Sequence, residues 1–314
     1  MATEPILIIG TPRAAAVNGQ RTLEVRTRST VADYWALTKP EVNFLIAVAT
    51  FTGFYLGCRT QPQGFPFWLL IHTLLGTLLV ASGTGTLNQY IERRFDAQMR
   101  RTARRPLAAG RLIPSVVLWF GVALSTVGSI YLAIAVDLLA SLLAIVTVLS
   151  YLFLYTPLKR ETPFCTVVGA LPGAMPPLIG WAAASGRLSF EAWTLYAMLF
   201  LWQFPHFMAI AWMYRDDYSR AGYLVLPSGG QRGRFISWLT LLPLVALIPL
   251  SLIPTLLGSA GLLYSVGSVM LGLAFLYFGA QLALGKTNSS ARRLLLASIV
   301  YLPLVFALLM IDKG

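Results

Sequence analysis

A chain of 314 residues that is 57% hydrophobic and only 11% charged is too apolar for a soluble domain, where about a quarter of residues are charged. Its net charge of +12 has no separate folded domain to sit on, so it points to anionic lipid headgroups or an anionic substrate and not to nucleic acid. The two cysteines and two histidines have no zinc-ligand spacing.

Residues 1–35 read as a mobile cytosolic tail. The run PILIIG is too short for a signal-peptide core and follows Glu4 without a basic segment. Residues 11–30 hold four arginines against one acid, Glu24, which also fits a transit peptide. From residue 36 to 314 the chain reads as one all-α transmembrane domain. A span needs about 20 apolar residues. Nine stretches approach that: 42–58, 67–90, 115–135, 138–155, 164–184, 190–213, 235–256, 262–284 and 294–311. The third and fourth are parted by a turn at Asp137. Pro172, Pro176 and Pro177 predict a kink or unwound point in the fifth.

With the N-terminus inside, only Arg59, Arg187 and Lys313 fall outside, against 21 basic residues inside. This bias predicts nine spans with the C-terminus outside, as in a bacterial cytoplasmic membrane; a mitochondrial inner membrane is the alternative. Cys58 and Cys165 then lie on opposite sides and do not pair.

The stretch 82–111, SGTGTLNQYIERRFDAQMRRTARRPLAAGR, is the most informative. Asn88, Glu92 and Asp96 stand at four-residue spacing. On a helix they drift by about 40° per step and share one face. Oxygen ligands of this kind suit Mg²⁺. Seven arginines accompany them, and the guanidinium fork matches phosphate geometry. Arg100, Arg101 and Arg104 are the candidates for phosphate contact. A solvated inner loop obeying the charge bias is the competing reading. The polar onset Ser82, Thr84 and Thr86 and the strict N-x3-E-x3-D order favour a site for a metal-bridged diphosphate.

A second acidic pair, Asp216 and Asp217, closes the sixth span. Adjacent residues diverge by about 100° on a helix, so one faces the site and the other an arginine or water. Two acid-ended spans four spans apart suggest an internal pseudo-repeat. Lys159 and Arg160 lie between two proline-punctuated helix ends, as site cations or as ordinary inner anchors. His206, with Gln203, sits inside an apolar span, where ionisable residues are usually functional. A neutral histidine bonded to its surroundings is the alternative, and His72 reads as structural.

Five stretches carry a resemblance, LTKPEVNFL, NQYIERRFDAQMRRTARRPL, YTPLKRETPF, GALPGAMPPLIGWAA and WQFPHFMAIAWMYRDDYSRAGYLVLP, together with the nine-span layout around them. On these the chain resembles the UbiA superfamily of intramembrane prenyltransferases, and within it the branch that farnesylates haem. The resemblance implies a helical bundle around a central cavity open to the bilayer. It implies Mg²⁺-dependent transfer of farnesyl from farnesyl diphosphate to a vinyl group of haem B, with net water addition, giving haem O. Asn88, Glu92, Asp96 and Asp217 would hold metal. Asp216 or Asp217 would support a second ion or orient Lys159 and Arg160. His206 would hold haem iron or guide the water. Haem A synthase and oxidase assembly factors are the implied partners. Position 92 departs from the family's usual aspartate, and the adjacent Asp216–Asp217 pair departs from its commoner spaced motif. A sister enzyme acting on an aromatic quinone precursor is the nearest alternative. A transporter is the alternative from another class, although its ionisable groups should cluster at the bilayer midplane.

Overall fold

The computed structural model describes residues 30–58, 64–227 and 229–313. Most of the expected tail, and Arg59 of the charge count, lie outside the described residues. The last residues of that expected tail instead belong to a helix, α1 (Thr30–Leu37). No strand occurs among the described residues; one isolated bridge joins Ala260 to Lys313.

After α1 come α2 (Pro40–Gly57), α3 (Phe67–Asp96) and α4 (Pro114–Ala135). Proline at the first position starts α2 and α4, where its missing N–H has no intrahelical partner to lose. The Asp137 side chain caps α5 (Leu138–Leu149) by accepting from the Ala140 amide at 3.1 Å. A π-helical stretch, Ser150–Tyr155, carries α5 into the short α6 (Thr156–Leu158). The proline-rich fifth span is broken into α7 (Cys165–Gly173) and α8 (Pro176–Ser185). Then follow α9 (Phe190–Met213), α10 (Arg215–Arg220), α11 (Gln231–Ser251), α12 (Ile253–Leu256), α13 (Leu262–Gly285) and α14 (Asn288–Ile311). A capping box of Thr287 and Ser290 starts α14 six residues before the apolar run expected from residue 294.

With broken helices taken as single spans, 8 helices among the described residues are long and apolar enough to cross a membrane. The remaining expected span is α2, 18 residues long with Glu41 and Asn43 near its start. Leu284, Ile134 and Leu256 are 84%, 82% and 82% exposed, so the outer face is the hydrophobic one and lipid is its solvent. The protein is an integral membrane protein, with Cys58 and Cys165 unbonded.

Small residues set the helix spacing, as expected where lipid supplies no hydrophobic drive between helices. A methyl on Gly180 of α8 would lie 2.0 Å from the Thr50 carbonyl oxygen of α2. One on Gly53 of α2 would lie 2.0 Å from the Pro177 carbonyl oxygen. The backbones themselves touch, and no side-chain rotation relieves the clash. Gly180→Ala is therefore expected to lower the melting temperature in detergent, by an overpacking cost of about 1–3 kcal/mol. Gly285→Ala, with open space around it, is the control. Equal melting of the two variants would contradict the close α2–α8 approach.

The break between α7 and α8 is held from α9. The Gln203 amide nitrogen donates to the carbonyls of Ala170 at 3.1 Å and Leu199 at 3.2 Å. This intramembrane polar residue thus ties α9 to α7 just before the proline-broken turn. The longest helix, α3, has 30 residues and extends about 45 Å, more than the ~30 Å hydrocarbon layer. It runs six residues beyond the span expected from hydropathy, because Glu and Arg continue a helix well. Those last turns carry the trio.

Candidate functional site

Asn88, Glu92 and Asp96 are 2%, 5% and 1% exposed and lie on one side of the end of α3. Each meets a basic side chain from a different part of the chain. Lys39, just before α2, donates to Asn88 Oδ1 at 3.1 Å. Lys159, just after α6, donates to Glu92 Oε1 at 2.7 Å. Arg105, in the loop after α3, donates to Asp96 Oδ2 at 2.7 Å. The π-helical stretch explains how the second of these arrives. Thr156 donates to the Tyr151 carbonyl five residues back, at 2.8 Å, and accepts from Asn88 Nδ2 at 3.4 Å. The extra residue in that turn brings Thr156 and Lys159 to α3, a common use of π-bulges at functional sites.

Electrostatics separate the two lysines. Burial alone would lower the Lys159 ammonium, but Glu92 overrides it, with Tyr155 and Tyr151 adding, and holds it charged well above the ordinary lysine range. The Lys159 Nζ also sits 4.4 Å from the centre of the Tyr155 ring. Lys39 faces a neutral amide instead. Burial pushes it down to about 7, Arg105 beside it adds to the effect, and Glu92 opposes it. Lys39 also carries a left-handed backbone, φ 53°, immediately before Pro40. Such strain in a non-glycine residue persists where the surroundings hold it, and here it turns the chain so that the lysine reaches Asn88.

The arginine-bearing loop is tied down by α10. Asp217, 8% exposed, accepts from the Arg101 amide at 3.2 Å and pairs with Arg220 at 3.2 Å. Arg101 Nη2 donates to the Tyr218 hydroxyl at 3.3 Å. The Leu224 amide donates to the Lys159 carbonyl at 2.7 Å, which joins the segment after α10 to the Lys159 turn. Tyr223 lies buried near Glu92, and its hydroxyl is pushed up by burial and by that carboxylate.

Some expected site residues stand elsewhere. Asp216 is exposed, its side chain 81% accessible, and reaches only Arg215, at 3.9 Å. The divergence expected of adjacent residues resolves with Asp217 inward and Asp216 outward. Neither aspartate orients Lys159 or Arg160: Glu92 holds Lys159, and Arg160 lies over the Phe95 ring at 4.5 Å. Arg100 and Arg104 are exposed. The Arg104 carbonyl accepts from Arg111, whose guanidinium grips buried Asp33 of α1 at 2.9 Å. His206 joins Trp202 and Ser298 between α9 and α14: its Nδ1 lies 2.8 Å from Ser298 Oγ, and its ring stacks on Trp202 at 4.9 Å. His72 meets the Tyr131 hydroxyl. Sequence reasoning missed Lys39 and Arg105. The signal for Lys39 was a lone lysine in front of a proline at the start of an apolar run.

Among the described residues no three His, Cys, Asp or Glu side chains form a ready-made metal cage. Mg²⁺ is usually held by one or two carboxylates together with waters and substrate phosphates, so a complete cage is not required. Asp96 Oδ1 is buried and has no hydrogen-bond partner. With the Glu92 carboxylate one turn away, it gives a donor set that fits such an ion.

The sequence profile of the UbiA prenyltransferase family matches residues 46–305. The chain belongs to the UbiA prenyltransferase family. A protoheme IX farnesyltransferase from Solibacter usitatus is 49% identical over 287 residues, covering 90% of this chain and 98% of that protein. One from Aquifex aeolicus is 39% identical, covering 91% and 96%. The mitochondrial protoheme IX farnesyltransferase of Arabidopsis thaliana is 36% identical, covering 89% of this chain and 64% of that one. Among solved structures, a digeranylgeranylglyceryl phosphate synthase superposes with a TM-score of 0.73 at 15% identity, covering 90% of this chain and 98% of that one. A UbiA homolog from Archaeoglobus fulgidus bound to GPP and Mg²⁺ gives 0.62 at 15% identity, covering 88% and 99%. At such identities the likeness speaks for the UbiA fold.

Proposed function

We infer that this UbiA-family chain transfers the farnesyl group of farnesyl diphosphate to a vinyl group of haem B, with net addition of water, releasing diphosphate and giving haem O. The observation that carries the reading is the convergence of Lys39, Lys159 and Arg105 on the Asn88–Glu92–Asp96 face. The named relatives supply the acceptor. Mg²⁺, held by Glu92 and Asp96 with Asn88 beside them, would neutralise charge on the departing diphosphate. Lys159 and Arg105, bonded to the two carboxylates, put positive charge beside the place where negative charge develops on the diphosphate. The C1–O bond breaks with its electron pair leaving on diphosphate. The vinyl π electrons then bond to C1 of the farnesyl cation. The cation left beside the porphyrin takes a hydroxyl from water, which loses a proton. The apolar bundle keeps water from the farnesyl cation before the haem does.

His206 serves the haem end. Ser298 commits its hydroxyl hydrogen to the Leu295 carbonyl at 2.6 Å, so its oxygen accepts from His206 Nδ1–H. That leaves His206 Nε2 as the basic nitrogen, the form that ligates iron. His206→Ala is expected to weaken haem binding and alter its absorption spectrum while pyrophosphate affinity stays unchanged. An unchanged spectrum and haem affinity would remove the ligand role.

The charge bias supports a site on the cytosolic side, in a bacterial cytoplasmic membrane on our reading. In a Cys58→Ser background, a thiol probe added from outside is expected to label Arg187→Cys and to miss Gln98→Cys, both of which replace exposed residues. The reverse pattern would overturn this orientation. Incubation of purified protein with labelled farnesyl diphosphate and either haem B or an aromatic acid tests the activity itself. Product from the aromatic acid alone would replace the haem reading.

A further inference from the structure

Both carboxylates of the trio are already committed to basic side chains of this chain. Lys159 and Arg105 each hold one oxygen of Glu92 and Asp96 at 2.7 Å. Both carboxylates are almost wholly buried, so neither can be left without a compensating charge. A metal ion arriving alone must compete with a cation at each carboxylate. A diphosphate arriving alone must draw those cations away and strand two buried negative charges. Only metal and diphosphate together allow every charge to change partner without losing one.

We propose that Lys159 and Arg105 are exchangeable cations: they hold Glu92 and Asp96 until a metal–diphosphate pair enters, then cross to the phosphate oxygens as the metal takes the carboxylates. This deepens the diphosphate-site reading and rests on it. The geometry allows the movement. Both side chains are long, and flexible stems let each head group swing without backbone movement. The Tyr155 ring, 4.4 Å from Lys159 Nζ, keeps a favourable surface under the ammonium through the exchange. Asp96 Oδ1, buried and unpaired, gives the ion a first point of attachment beside Arg105. Lys39 completes the set by holding Asn88 Oδ1 in the same manner, although it opposes no negative charge there. The consequence is a site that responds to the loaded substrate and resists either component alone.

The test uses full-length protein in detergent, Mn²⁺ as a spectroscopic stand-in for Mg²⁺, and inorganic pyrophosphate. Mn²⁺ affinity is measured with and without pyrophosphate in wild type, Lys159→Met, Arg105→Gln and the charge-retaining Lys159→Arg. Wild type is expected to bind Mn²⁺ at least about tenfold more tightly when pyrophosphate is present, in keeping with the coupling of close charge pairs. In Lys159→Met, Mn²⁺ alone binds about tenfold more tightly than in wild type, because its competitor is gone, and the gain from pyrophosphate is lost. Lys159→Arg retains the wild-type pattern. Arg105→Gln repeats the effect at Asp96 and carries the test if Lys159→Met does not fold, since the Arg105 side chain is 26% exposed and tolerates replacement better. Neutral variants that bind Mn²⁺ alone no more tightly than wild type, with the pyrophosphate gain intact, overturn the exchange and leave the diphosphate site standing. Wild type in which pyrophosphate adds nothing overturns the diphosphate site itself.

Discussion

Asp96→Ala is expected to abolish farnesyl transfer while the protein still inserts and folds. The side chain is 1% exposed, one oxygen holds Arg105 at 2.7 Å, and the other is buried without a partner. Alanine removes the carboxylate proposed to hold metal and releases the arginine at the same point. The developing charge on diphosphate then loses several kcal/mol of stabilisation, so kcat should fall about 10³-fold or more. Folding is spared for a definite reason. The Arg105 side chain is 26% exposed and can turn to water, and the Thr102 hydroxyl bonds to the Asp96 backbone carbonyl, which alanine retains. Turnover within tenfold of wild type, at equal membrane abundance, would take Asp96 out of the mechanism. Glu92→Asp should be mild by comparison. It keeps the carboxylate, and the flexible Lys159 stem can follow it back by one methylene.

The readable part of this site was the part set by local periodicity. Asn88, Glu92 and Asp96 share a face because 3.6 residues make a turn, and the helix obeys that with no help from its neighbours. The break between α7 and α8 followed equally directly from three prolines, and the α4–α5 turn from Asp137. What stayed hidden was long-range. Lys39 lies 49 positions from Asn88, and only the packing of α1 and α2 against α3 brings them together. Arg105 could not be told from Arg100, Arg101 and Arg104, because the loop after α3 is a string of tight turns with no period to read. For Asp216 and Asp217 the divergence was legible, but the rotation of α10 about its own axis was not. His206 could be flagged as an intramembrane ionisable group, while its partner Ser298 stands 92 positions away on another helix.

That rotation leads to the second large effect, a contrast between neighbours. Asp217→Ala is expected to cut kcat/KM for farnesyl diphosphate about 10²-fold, and Asp216→Ala to change it by no more than about twofold. Asp217 is the clamp on the loop that carries Arg105. It accepts from the Arg101 amide at 3.2 Å and pairs with Arg220, while Arg101 in turn meets Tyr218. Without it the loop is free to shift by an ångström or so, which is enough to misplace the Arg105 guanidinium proposed to meet the diphosphate. Asp216 points to water and its one ion pair, at 3.9 Å, is too exposed to matter. Asp217→Asn then separates a clamp from a metal ligand. An amide oxygen still accepts from the Arg101 amide, so a clamp survives in large part, whereas a charge required by a second metal ion does not. Retention of most activity in Asp217→Asn, with loss in Asp217→Ala, assigns the residue to the loop. Equal loss in both would return it to the metal, and equal losses at 216 and 217 would mean that α10 is not oriented as described.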